Sequence, residues 1–248
     1  HIECSACNLW GHGPKIDIHM GGCDLIFPHH QNEIAQTESI TGETFSQYWM
    51  HTGHLLVDGK KMSKSLGNVY RLQDLEARYP EKKTLLYRAF RMMCLQNRYR
   101  ENFNFTFERL ESAVSTITSL DNVLKRLKSY TPKNTKVRRE FRDMLQESMQ
   151  KFVEALENDI DSVIALTAVF DFITTVNRDI DNNSLTEKEL ASTIEVLKSW
   201  DMVMGVMDWS ILENSIIPEN IITLAQARVE AKKNKDYVHA DEIRKEVE

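Results

Sequence analysis

The chain has 248 residues, of which 42% are hydrophobic and 27% charged, and 31 Lys and Arg against 37 Asp and Glu leave a net charge of −6. This composition is too apolar for a disordered chain, and its charge excludes a uniformly basic nucleic-acid coat. No stretch approaches the roughly 18 unbroken apolar residues of a membrane span, so we expect a soluble protein of one or two domains.

Glycine, histidine and cysteine are concentrated near the front of the chain. Residues 1–75 contain eight of the nine glycines, seven of the eight histidines and three of the four cysteines, which is typical of loops arranged around chemistry. Clustered cysteines without an export signal indicate reduced thiols and a cytoplasmic protein. Because the chain starts at His1 without Met, we expect it to begin within a domain.

The first candidate site combines Cys4 with His29 and Glu33. A helix is predicted from His29 to Glu38, so that His29 and Glu33 lie on one face, with Cys4 arriving from the end of a neighbouring strand. Thiolate, imidazole and carboxylate are all zinc ligands, although three leave a tetrahedron incomplete. The alternative is a buried cysteine beside a histidine that begins a helix.

The second candidate is the loop 19–25, which follows a strand predicted over Lys15–Ile18. Paired glycines let the backbone approach a ligand closely, and the acidic residue just beyond them can accept hydrogen bonds from ribose hydroxyls. A plain turn would give the same short pattern.

The third candidate is the segment 60–68, with the sequence KKMSKSLGN. Two lysines three residues apart, with neighbouring hydroxyls and a following glycine, suit a loop that closes on a polyphosphate. The spacing differs from that of a Walker P-loop. A solvated basic turn is the alternative.

Helices are predicted over most of the remaining chain. Apolar residues recur at three- and four-residue spacing from about Pro80, first to Met93 and then from Phe107 to Leu124, with Thr106 as an N-cap. Further helices are predicted over 137–157, 162–177, 186–204, 222–233 and 237–248. A capping box at 186–189 begins one of them. Helices in series with short polar connections predict a bundle.

A basic segment over residues 123–142 is the fourth candidate site. It contains eight basic residues and one acidic residue, which makes a positive patch on an acidic chain and suggests contact with a polyanion. The residues singled out for tRNA contact are Lys125, Arg126, Lys128, Lys136, Arg138 and Arg139. The alternative is a solvated corner between helices; Arg98, Tyr99 and Arg100 would extend the patch.

These strings occur together in one family. The runs HIECSA at 1–6, FPHHQNE at 27–33 and KMSKS at 61–65 resemble cysteinyl-tRNA synthetases, which are class I aminoacyl-tRNA synthetases. Looser similarity continues at 152–159 and from 227 to 244. The resemblance implies an α/β plus all-α fold: the C-terminal half of a Rossmann-like catalytic domain, a helical bundle and the start of a small C-terminal domain.

The resemblance also implies roles for individual residues. Cys4, His29 and Glu33 match three of four zinc ligands, and the fourth, a cysteine, is expected outside this chain. The residues implied to bind ATP or the adenylate are Gly21, Gly22, Asp24, His54, Lys61, Met62, Ser63, Lys64 and Ser65. Lys61 and Lys64 are the implied catalytic residues, and His19 and His30 form the floor of the pocket.

The implied activity is zinc-dependent selection of cysteine, formation of cysteinyl-adenylate from ATP with Mg²⁺, and transfer to cysteine tRNA. The implied domains are a catalytic half over 1–75, a tRNA-stem-contacting bundle over 76–210 and the start of an anticodon-binding region over 211–248. We expect a monomer without membrane contact, and we expect these residues alone to be inactive. The alternatives are a mycothiol-pathway cysteine ligase and a non-catalytic zinc- and tRNA-binding fragment.

Overall fold

A computed structural model describes residues 1–213, 224, 227–232, 236, 239 and 241–243. The chain divides into two compact units, His1–Asp208 and Trp209–Glu248. In the first unit an α/β segment precedes a set of long helices, which confirms the predicted combination of α/β and all-α folds. No helix in the described part of the chain is long and apolar enough to cross a membrane.

The α/β segment contains a two-stranded parallel sheet. Its elements in chain order are α1 Ile2–His12, β1 Ile16–Gly22, α2 Gln31–Thr41 and β2 Ser46–Thr52. Parallel strands cannot be joined by a tight turn, and α2 supplies the crossover. The register pairs Ile16 with Ser46 and Gly22 with Thr52, so both strands end at the same edge.

Three local predictions for this segment were wrong. Cys4 lies on α1 rather than after a strand, because the helix runs unbroken until Gly13, which has φ 85° and ends it. The strand predicted to stop at Ile18 continues through Gly22, since β2 offers a backbone partner along its whole length. The helix predicted from His29 begins at Gln31, because Phe27 before Pro28 is extended and the π-turn Ile26–His30 intervenes.

A second, three-stranded sheet carries the lysine-rich segment. Its strands are β3 Leu55–Val57, β4 Lys60–Lys61 and β5 Phe103–Phe105, with β3 in the centre. Asp58 and Gly59 form the two-residue turn between β3 and β4, and both have positive φ, at 49° and 73°. This conformation matches the twist of a tight hairpin and favours the Asp-Gly pair.

The remaining elements of the first unit are helices. They are α3 Leu72–Arg78, α4 Lys83–Leu95, α5 Phe107–Ser129, α6 Arg139–Glu157, α7 Ser162–Asp181 and α8 Glu187–Met204. The predicted Thr106 cap is present, and the hydroxyl of Thr186 accepts from the Glu189 amide at 3.2 Å while Glu189 accepts in return. Trp200 packs between Phe152 and Phe172 in the core. The helices predicted for residues 106–204 are confirmed.

In the second unit, a 3-10 turn spans Trp209–Ile211. The helices predicted over 222–233 and 237–248 fall partly on residues outside those described. Residues 224, 227–232, 239 and 241–243, which are described, are helical.

Candidate active site

A cluster of possible metal ligands forms where α1 meets the start of α2. One ligand atom each of Cys4, His29 and Glu33 lies within 4.8 Å of the others. His29 Nε2 is 3.7 Å from Glu33 Oε1. The i and i+4 relation therefore brings His29 and Glu33 together although the π-turn precedes α2, and α1 brings the thiol to them.

The burial and hydrogen bonding of the Glu33 carboxylate show whether a cation fits this cluster. Its side chain is 1% exposed, and its Oε2 atom has no hydrogen-bond partner among the described residues. His19 Nε2 lies 3.1 Å from Oε2, which is close enough for an ion pair but lacks hydrogen-bond geometry. A buried carboxylate oxygen that accepts no hydrogen bond is costly. The sulfur, nitrogen and oxygen donors of Cys4, His29 and Glu33 are ligand types that fit a zinc ion.

Histidine side chains continue the cluster toward β2. His19, His30 and Glu33 form a second group with ligand atoms within 4.8 Å of one another, so Glu33 belongs to both groups. His30 is buried, and its Nδ1 atom is 2.8 Å from His51 Nε2. Burial, reinforced by the neighbouring histidines 19, 51 and 29, lowers the pKa of His30 to about 4. His30 is therefore neutral at pH 7.

Two residues of β2 take part in this cluster although the sequence reasoning assigned them no role there. Trp49 stands opposite His19 in the ladder and contacts the rings of both His19 and His30, and His51 stands opposite Gly21. Residues two apart on a strand point to the same face. The pairing of β1 with β2 would have shown that Trp49 and His51 lie beside His19 and Gly21. The sequence did not predict strand β2, so this pairing could not be used.

Four of the predicted nucleotide-binding residues, Gly21, Gly22, Asp24 and His54, lie at or just beyond the ends of β1 and β2. A Cβ on Gly21 would lie 2.7 Å from His30 Cε1, and one on Gly22 would lie 2.5 Å from Asp24 Oδ1. At Gly21 a side chain would press on the buried His30 ring, whereas at Gly22 the exposed Asp24 carboxylate could turn aside. Cys23 Sγ is 3.5 Å from His54 Nε2, which places His54 beside the turn that carries Asp24. In parallel sheets, ligands bind outside the carboxyl ends of the strands, and these residues occupy that position.

The lysine-rich segment forms a compact turn held by its own side chains. Ser63 caps the 3-10 turn Lys64–Leu66, and its Oγ atom is 3.1 Å from that of Ser65. Asn68 accepts from the Ser63 amide at 2.9 Å and donates to the Lys61 carbonyl at 3.3 Å. The sequence reasoning gave Asn68 no role, although Asn after Gly is a common turn signal.

The two lysines of this turn are available to a ligand. Lys61 and Lys64 are exposed, and in the described part of the chain neither has an ion-pair partner. Met62 instead points inward and lines an apolar cavity of about 200 Å³ with Tyr70 and Phe105. The Met62 side chain thus fixes the turn to the protein, while the ammonium groups of Lys61 and Lys64 remain exposed.

The basic segment is divided between ion pairs within the bundle and exposed side chains. Arg126 binds Asn177 and Asp181, and Arg138 binds Asp179 and Glu189. The exposed basic residues of the segment are Lys125, Lys128, Lys133, Lys136, Arg139 and Arg142. The structure therefore gives Arg126 and Arg138 partners inside the protein.

Comparison with known proteins matches both parts of the first unit. Residues 1–115 match the family described as tRNA synthetases class I (C) catalytic domain, and residues 151–208 match the DALR domain. The Cysteine–tRNA ligase of Chlamydia abortus is 40% identical over 247 residues, covering 100% of this chain and 50% of the relative. That of Protochlamydia amoebophila is 37% identical, covering 98% of this chain and 49% of the relative.

The chain spans about half the length of the curated relatives it matches. Among solved structures, the ternary complex of Agrobacterium radiobacter K84 agnB2 LeuRS-tRNA-LeuAMS superposes with a TM-score of 0.58 at 19% identity, covering 81% of this chain and 28% of the other. At this identity the likeness concerns the fold alone.

Proposed function

The chain belongs to the cysteinyl-tRNA synthetase family of class I synthetases, and from this premise we propose that it forms part of a zinc-dependent cysteine–tRNA ligase. In the first step cysteine and ATP would give cysteinyl-adenylate and pyrophosphate, and in the second the cysteinyl group would pass to cysteine tRNA with release of AMP. The observation that carries the proposal is the cluster of Cys4, His29 and Glu33, in which the buried Glu33 carboxylate has one oxygen without a hydrogen-bond partner.

Cys4, His29 and Glu33 would hold the zinc ion. Serine differs from cysteine by one atom, and a pocket that reads size supplies only about 1 to 3 kcal/mol of discrimination. A zinc ion with an open position prefers a soft thiolate to a hydroxyl, which adds the missing selectivity. His19, 3.1 Å from Glu33, would orient that carboxylate, and neutral His30 would close the floor of the cysteine pocket without adding charge.

The ends of β1 and β2 would bind ATP. Gly21 and Gly22 let the backbone approach the adenylate, and Asp24 would accept hydrogen bonds from the ribose hydroxyls. The backbone at His54 would lie near the adenine. This arrangement is supported by the close approach of the buried His30 ring to Gly21, which leaves little room for a Cβ there.

The turn 61–65 would bind the triphosphate, which enters with Mg²⁺. The cysteine carboxylate attacks the α-phosphate, the bond to the β-phosphate breaks, and pyrophosphate leaves with additional charge. The exposed ammonium groups of Lys61 and Lys64 would stabilise that charge, and the Ser63 and Ser65 hydroxyls would donate to phosphate oxygens. Met62 would anchor the turn through its apolar cavity.

The helical bundle would contact tRNA through the exposed part of the basic segment. Lys125, Lys128, Lys136 and Arg139 are exposed, as are Lys133 and Arg142 of the same segment. Arg126 and Arg138 would support this surface from within, since their guanidinium groups bind carboxylates of the bundle.

Metal analysis tests the zinc site directly. We expect close to one zinc ion per chain in the purified full-length protein and a large loss in Cys4→Ser. Cys7→Ser is the matched control, because Cys7 is also an exposed cysteine of α1 but lies outside both ligand groups. Retention of zinc by Cys4→Ser, or equal loss in both variants, would contradict the proposed site.

A further inference from the structure

A second polar cluster lies away from the proposed active site, where the turn between α6 and α7 meets the connection between α4 and β5. Asp159 accepts hydrogen bonds from Arg100 Nε at 2.5 Å and Nη2 at 2.8 Å, and from the Tyr99 hydroxyl at 2.6 Å. Arg98 Nη2 lies 2.9 Å from Asp161 Oδ2. One turn of the bundle therefore binds three consecutive side chains of the connection.

The charged groups of this cluster neutralise one another, so they do not attract a charged ligand. It borders an open cavity of about 420 Å³, but the guanidinium groups of Arg98 and Arg100 already bind carboxylates. The hydrogen bonds from Arg100 and Tyr99 lower the pKa of Asp159 to about 2. Asp159 is thus ionised at physiological pH, and the cluster joins two segments of the protein.

The connection held by Asp159 in turn holds the loop between β2 and β3. The Gly53 amide donates to the Tyr99 carbonyl at 2.8 Å, and the His54 amide donates to Asn102 Oδ1 at 2.9 Å. A Cβ on Gly53 would overlap the carbonyl group of Glu101. The two segments therefore fit so closely that a shift of one requires a shift of the other.

The backbone of the turn agrees with a positioning role. Asp159 and Ile160 both have positive φ, at 58° and 55°. Left-handed backbone is rare for non-glycine residues, and two in succession persist only where the surroundings fix them. Asp161 contributes by accepting from the Ile164 amide at the start of α7. The turn is thus held in one conformation at its junction with the connection.

We propose that Asp159 is a positioning residue for the adenosine side of the active site. Through Tyr99 and Arg100 it holds the connection 97–102, which fixes the backbone of the loop 52–54. The inference rests on the proposed function, in which that loop lies near the adenine. It also links the helical bundle, the proposed tRNA-contacting part, to ATP binding.

Two variants separate positioning from folding. Asp159→Gly removes the side chain but favours the left-handed backbone, and Asp159→Asn retains a side chain of the same shape while losing the charge. Asp171→Asn is the control, because it removes a carboxylate from an exposed position of α7 without touching the connection. All are made in the full-length, zinc-loaded protein and compared by thermal unfolding.

The first measurement is amide hydrogen exchange of a peptide containing residues 52–54, without ligands. We expect faster exchange of the Gly53 and His54 amides in both Asp159 variants and wild-type exchange in Asp171→Asn. Unchanged exchange in Asp159→Gly would overturn the physical link.

The second measurement is cysteine-dependent ATP–pyrophosphate exchange. We expect the KM for ATP to rise about tenfold in Asp159→Gly and less in Asp159→Asn, with the KM for cysteine and the zinc content unchanged. An unchanged KM for ATP, or an equal rise for ATP and cysteine, would overturn the positioning role. Absence of exchange in the wild-type protein would instead overturn the proposed function, and with it the inference.

Discussion

Replacing Arg138 with alanine should destabilise the helical bundle. The Arg138 guanidinium donates to both oxygens of Asp179 at 3.0 and 2.9 Å and to Glu189 Oε1 at 3.2 Å. Glu189 is 1% exposed and Asp179 is 9% exposed. The substitution therefore leaves two buried carboxylates without their cation.

The size of the effect follows from the contacts that remain. Asp179 keeps the Ser184 hydroxyl at 3.0 Å. Glu189 keeps the Thr186 amide at 2.9 Å, the Thr186 hydroxyl at 3.1 Å and the backbone amide of residue 138 at 2.9 Å. Removing one partner of a buried ion pair costs about 3 to 5 kcal/mol. Because other donors remain and the Arg138 side chain is 32% exposed, we expect the lower end, about 3 kcal/mol. For a chain of this size that lowers the Tm by roughly 6 to 12 °C.

The same contacts predict how the effect changes with pH. Burial alone would raise the pKa of Asp179 and Glu189, but both pKa values lie below their ordinary range. The Arg138 side chain is the main cause for Asp179, whereas for Glu189 the backbone amides of Arg138 and Thr186 come first and the Arg138 side chain adds to them. The resulting stabilisation is present above the unfolded-state pKa values, about 4, and is lost as the pH falls through the lower folded-state values. The difference between wild type and Arg138→Ala should therefore be largest near pH 7 and shrink below about pH 4.

Urea unfolding followed by circular dichroism measures this difference, with Arg139→Ala as the control. Arg139 is 89% exposed and lies 3.7 Å from Asp143 across one helical turn, so its removal should cost under about 0.5 kcal/mol. Equal stabilities of Arg138→Ala and Arg139→Ala, or a difference that grows as the pH falls, would refute the reasoning.

Three other predictions concern the active site and the tRNA surface. Lys64→Ala should lower the rate of ATP–pyrophosphate exchange by about 10²-fold or more, whereas Lys60→Ala, at the start of the adjoining strand β4, should have a much smaller effect. Equal losses would contradict the assigned role. The double variant Lys125→Glu, Lys136→Glu should weaken tRNA binding and reduce its salt dependence, and an unchanged salt dependence measured by filter binding would reject that surface. Gly53→Ala should raise the KM for ATP, because the new Cβ displaces the loop from its neighbouring carbonyl, and an unchanged KM would show that the loop does not position the nucleotide.

The bundle could be predicted from the sequence because its signals are local. The capping box at Thr186 and the three- and four-residue spacing of apolar residues from Phe107 require only neighbours along the chain. The ion pairs of Arg138 could not be predicted in this way, because their partners lie 41 and 51 residues away. The assignment of Arg138 to a tRNA surface followed from composition, which does not reveal such partners.

In the candidate site, too, contacts between residues close in sequence could be predicted and contacts between distant residues could not. The i and i+4 pair of His29 and Glu33 was predicted correctly, and Cys4 was grouped with them from its ligand chemistry, although it was expected after a strand and lies on α1. The contact of His30 with His51 depends on the parallel register of β1 and β2, and β2 carries no clear sequence signal. The cytoplasmic location and monomeric state remain predictions.

The central claim, that a zinc site selects cysteine for adenylation, is tested most directly by ATP–pyrophosphate exchange with cysteine and with serine. We predict that the full-length, zinc-loaded protein favours cysteine by more than about 10³-fold in kcat/KM, since a pocket that reads size alone gives about 10- to 200-fold. A ratio within that smaller range, or no exchange with cysteine, would contradict the account.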